Sequence, residues 1–68
     1  RLTYNFGEVS QSLFKRYAEE IGEDSSTAQS YLRDGWAAYR SVKLYSISDQ
    51  VRNDAGEELE ELGDYFKN

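Results

Sequence analysis

Apolar positions recur every three to four residues along most of this chain. Val9, Leu13, Tyr17 and Ile21, with Phe14 and Ala18 beside them, form one stripe of a helix predicted over 8–21. Gly22 follows directly, where a helix end needs a residue that tolerates positive φ. Ser25, Ser26 and Thr27 are each good N-caps for a second helix over 26–45. Its stripe is Ala28, Tyr31, Leu32, Gly35, Trp36, Tyr39 and Val42. Gly35 costs about 1 kcal/mol of helix propensity against alanine, and it marks a place where another backbone can come close. A third helix over 48–66 starts at Ser46-Ile47-Ser48-Asp49, with Ser48 or Ser46 as its cap. Val51, Ala55, Leu59, Leu62 and Phe66 make its thin stripe. Gly56 and Gly63 weaken it, so its stability must come from packing.

Residues 1–6, RLTYNF, break this rhythm. Leu2, Tyr4 and Phe6 alternate with Arg1, Thr3 and Asn5, which predicts a short strand. A single strand leaves its N–H and C=O groups unpaired. Its natural partner is the same strand from a second copy, across a two-fold axis.

Charge changes the picture at one end only. The net charge is −5. Residues 1–22 are neutral and residues 23–50 sum to −1, so the C-terminal segment carries −4. The first fifty residues thus neither attract nor exclude nucleic acid by charge. A chain of 68 residues makes a single small domain, residues 1–68, and one of about this size buries only about 60% of its unfolded surface. Without cysteine, neither a disulfide nor a thiolate metal site can staple it, which leaves oligomerisation. No apolar run approaches the roughly 20 residues that span a bilayer, and no signal-peptide pattern is present. The expectation is a cytoplasmic chain that makes no membrane contact.

Candidate chemistry is sparse. Histidine and cysteine are both absent, which removes the commonest general base and two main metal ligands. Glu57, Glu58, Glu60 and Glu61 read as a solvated helix face. No phosphate loop or calcium loop is present. No catalytic residue, metal site or cofactor is therefore expected. The six tyrosines, three phenylalanines and one tryptophan exceed what a small core needs, and Phe14, Tyr45 and Tyr65 fall at the edges of the main stripes. That excess points to an interface.

The stretch RLTYNFGEVSQSLFKRYAEEIGEDSSTAQSYLRDGWAAY, a short strand followed by two helices, resembles the ribbon-helix-helix family of small dimeric repressors. The resemblance implies a homodimer whose paired N-terminal strands enter the major groove of duplex DNA. Arg1, Thr3 and Asn5 would then read base edges, and Ser25, Ser26 and Thr27 would bring the start of the second helix to phosphate. Leu2, Tyr4 and Phe6 would face the dimer core with Trp36. The alternative is an all-α three-helix bundle with an extended N-terminal arm, a non-enzymatic module that binds another protein.

Overall fold

The computed structural model describes residues 3–66, which form three helices and, within those residues, no strand. They are α1 (Tyr4–Ile21), α2 (Ser26–Tyr45) and α3 (Asp49–Gly63). Each starts on a hydroxyl cap. The Thr3 hydroxyl accepts from the Phe6 amide at 3.1 Å and that of Ser25 from the Ala28 amide at 3.1 Å. Ser48 accepts from the Val51 amide at 3.3 Å. Such caps satisfy amides that a helix leaves orphaned at its start. Gly22 closes α1 at φ 105°, its amide donating to the Ala18 carbonyl at 3.0 Å. That φ favours glycine.

The predicted strand is the main correction. Tyr4, Asn5 and Phe6 are the first turn of α1, and Thr3 is its cap. Arg1 and Leu2 lie outside the described residues. The alternation of Tyr4 and Phe6 was equally compatible with helix, because Tyr4, Gly7, Gln11 and Phe14 also fall at helical spacing. A helix pairs its own amides, whereas a lone strand cannot. Tyr4 therefore does not lie in a ribbon: its ring meets Tyr39 edge-on, with centroids 5.2 Å apart. Phe6 is exposed. The all-helical alternative matches this architecture, although its extended arm is helix from Tyr4 onward. The second helix has its expected bounds, and the third stops at Gly63.

A second correction concerns which side of α1 faces inward. The stripe through Val9 and Ile21 is largely exposed, and Val9 keeps 58% of its surface. The buried positions are Gly7, Ser10 and Phe14. Small residues let α1 lie close against α2. A methyl group on Gly35 would stand 3.4 Å from the Gln11 amide nitrogen and 3.5 Å from the Gly7 carbonyl oxygen. Gly35 thus allows the close backbone approach expected of it.

Helix α2 lies between the other two and packs against both. The core comprises Phe14, Leu32, Tyr39, Val42 and Leu62 with Ala28, Ala38 and Ala55. Aromatic pairs extend it. Phe14 meets Tyr65 edge-on at 5.2 Å, and Tyr17 stacks on Tyr31 at 5.5 Å. Phe14 and Tyr65, expected at the edge, are therefore internal contacts that tie α1 to the end of α3. Eight of the ten aromatic residues pair in this way, so only Phe6 and Tyr45 are left without an aromatic partner. Both are exposed, Tyr45 at 76%.

Candidate interaction surface

A part-buried polar chain links the three helices. The Tyr39 hydroxyl donates to Gln11 Oε1 at 2.7 Å, and Gln11 Nε2 donates to Glu58 Oε1 at 3.0 Å. One residue comes from each helix. Burial, and then the nearby Glu58 carboxylate, push the Tyr39 phenol well above its ordinary range. It remains a protonated donor at neutral pH. Lys15 adds an exposed bridge to Glu61 at 3.0 Å, and that hydrogen bond raises its pKa. Among the described residues no buried side-chain nitrogen or oxygen lacks a partner. This chain is a packing device, with every link engaged.

The residues expected at DNA do not converge. The Thr3 hydroxyl is engaged as a cap, and Asn5 is exposed at the start of α1. Ser25 caps α2, with Ser26 and Thr27 exposed in its first turn. Helices α1 and α2 run antiparallel: Tyr4 lies by Tyr39, and Tyr17 by Tyr31. The two groups therefore sit at opposite ends of a helix about 30 Å long. Glu23 and Asp24 immediately precede the α2 start, where a phosphate would have to approach.

A different set of residues does converge. Trp36 and Phe66 meet edge-on at 5.9 Å and, with Ala37, Gly63 and Arg33, line an open apolar groove of about 620 Å³ between α2 and the end of α3. The Arg40 guanidinium lies 5.8 Å from the Trp36 ring centroid. Helical spacing places Arg33, Ala37, Arg40 and Leu44 along one edge of α2. Leu44 is 54% exposed, and Ile47 just beyond the helix is 98% exposed. Trp36, expected at a dimer interface, is thus half-buried in the groove wall. The sequence reading passed over its neighbours. The spacing of Arg33, Trp36, Ala37 and Arg40 was visible in the chain, but Gly63 and Phe66 reach them only through the tertiary fold.

The groove suits some occupants better than others. A site for a small polar molecule needs several convergent polar groups to orient it. Among the described residues of its lining, Arg33 is the one that is charged and the rest are apolar. Two smaller recesses, of about 230 and 390 Å³, are lined by mixed polar and apolar residues. Among the described residues no cluster of three or more acidic side chains could hold a metal ion. No helix in that span is long and apolar enough to cross a membrane. Comparison with protein-family models, with curated proteins and with solved structures finds no match to this chain.

Proposed function

We propose that this chain is a non-enzymatic helical module that binds another protein through the outer edge of α2. The observation that carries this reading is the Trp36–Phe66 groove: apolar, open, and lacking the polar groups that would orient a small molecule. Aromatic side chains at the centre of an open apolar surface are the usual anchors of protein contacts. Trp36 is the only tryptophan, so its emission reports the groove directly. Amphipathic helical peptides without tryptophan, of either net charge, should shift that emission saturably. Ala37→Glu places a charge on an exposed position of the groove lining. It should weaken the response about tenfold or more while leaving the thermal melt unchanged. If no peptide gives a saturable shift, the reading fails.

The same function extends to self-association on another face. Phe6, Val9 and Leu13 form a row on α1, about half a turn round the helix from Gln11 and Lys15, which face α3. Phe6 and Val9 are exposed and Leu13 half-buried. The charges nearest the row, Arg16 and Glu20, pair with each other at 3.2 Å. On α1 itself, a second copy would meet this apolar row beside a charge couple that is already paired. Sedimentation should show a dimer that Val9→Glu converts to a folded monomer. A native chain that stays monomeric at millimolar concentration would rule this contact out.

A DNA-binding role was to use a paired strand, and helix takes the place of that strand from Tyr4 onward.

A further inference from the structure

Resting on the groove reading, we propose that its occupant is a helical segment with two carboxylates seven residues apart on the edge facing α2 and apolar anchors between them. The placement of charge selects this occupant. The chain carries a net charge of −5, yet the α2 wall of the groove is cationic. Arg33 and Arg40 are exposed on either side of Trp36 and Ala37, and among the described residues neither forms an ion pair. Lys15, Arg16 and Arg52, by contrast, are held by Glu61, Glu20 and Asp49.

Seven residues of α2 span about 10.5 Å, the same rise that separates positions i and i+7 of a partner helix. Carboxylates at those positions therefore match both arginines, with anchors at i+3 and i+4 above Trp36 and Phe66. The Trp36 face holds Arg40 by a cation–π contact. A guanidinium held in this way keeps its fork of donors for a carboxylate. The opposite wall contains Gly63, which is followed by the exposed Asp64 and lies about one helical turn after the exposed Glu60. The partner's far edge must then be neutral or basic, and that difference between its two edges sets its direction in the groove. The α2 wall is a helix interior whose backbone groups are already paired, so it offers no edge to an extended strand. Recognition falls to side chains, as when a helix lies in a groove.

The test uses three helix-constrained peptides without tryptophan, titrated into the full chain and read by Trp36 emission. One carries glutamates at i and i+7 with leucines at i+3 and i+4. The second has lysines in place of the glutamates. In the third the glutamates sit on the opposite face. The first should bind at least about tenfold more tightly than the other two, and its advantage should shrink as salt rises. Arg33→Glu with Arg40→Glu should reverse the preference between the first and second peptides. Both positions are exposed, so an unchanged far-ultraviolet spectrum and melting temperature will establish that the double variant is folded. Equal saturable binding of all three peptides overturns the acidic partner and leaves the groove reading standing. No response to any peptide overturns both. A saturable response to a duplex DNA oligomer, with none to the peptides, assigns the surface to a nucleic acid and likewise overturns the proposal.

Discussion

Tyr39→Ala is expected to lower the urea midpoint of the chain sharply. Tyr39 is fully buried and heads the large side chains of the interior. Its ring fills the space above Gly7 and receives the edge of Tyr4. Truncating a buried aromatic of this size costs about 3–5 kcal/mol, from lost apolar burial and the cavity left behind. The variant also removes the hydroxyl that donates to Gln11, so that amide must find another partner. At about 0.05–0.15 kcal/mol per residue, a domain of this length has only about 3–10 kcal/mol in total. The loss therefore takes between about a third and all of that stability. Circular dichroism during urea titration checks the expectation. Tyr39→Phe separates the contributions, because it keeps the ring and loses only the hydrogen bond, at about 1 kcal/mol. If the alanine variant retained a midpoint close to that of the native chain, the packing described around α2 would be wrong.

Gly7→Ala is expected to destabilise the chain although it improves helix propensity. Alanine is favoured over glycine inside a helix by about 1 kcal/mol. The new methyl group, however, would stand 2.9–3.0 Å from three atoms of the Tyr39 ring. Contacts of 2.9 Å are essentially never seen for a Cβ, so the ring must move. It cannot do so freely: it is buried, hydrogen-bonded to Gln11 and packed against Tyr4. Overpacking of this kind costs about 1–3 kcal/mol, and here that exceeds the gain in propensity. Gly35→Ala is the control. Its methyl group would meet neighbours at 3.4–3.5 Å, at the border of ordinary contact, so it should be neutral to stabilising by up to about 1 kcal/mol. Thermal melts of the two variants should therefore diverge, with Gly7→Ala melting lower. Matching melts would show that Tyr39 yields more easily than its surroundings imply.

The local signals were read well. Gly22 ended α1, a serine opened α2 and another opened α3, and the bounds of α2 were as expected. Each of these rests on hydrogen bonds reaching no more than a few residues. The strand expectation failed on the same scale, because the Thr3 cap and a helical spacing from Tyr4 to Phe14 competed with the alternation of RLTYNF. The inward face of α1 was misread for another reason. The stripe through Val9 and Ile21 is the more hydrophobic one, but the side containing Gly7 and Ser10 lets two backbones come close. Hydropathy cannot weigh that closeness against apolar area, since the answer depends on what α2 presents.

The candidate site divides along the same line. Arg33, Trp36, Ala37 and Arg40 lie within two turns of one helix, so their common edge follows from the sequence. Gly63 and Phe66 are about thirty residues away, and the groove exists only because α3 delivers them to Trp36. By itself, then, the sequence determined where helices begin and end, where the acidity lies, and which chemistries lack residues. The tertiary structure alone decided which faces were covered, which aromatics paired, and which two remained outside. Caps and glycine turns are settled by bonds between near neighbours along the chain. Burial is settled by the fit of surfaces that folding brings together from distant parts of it.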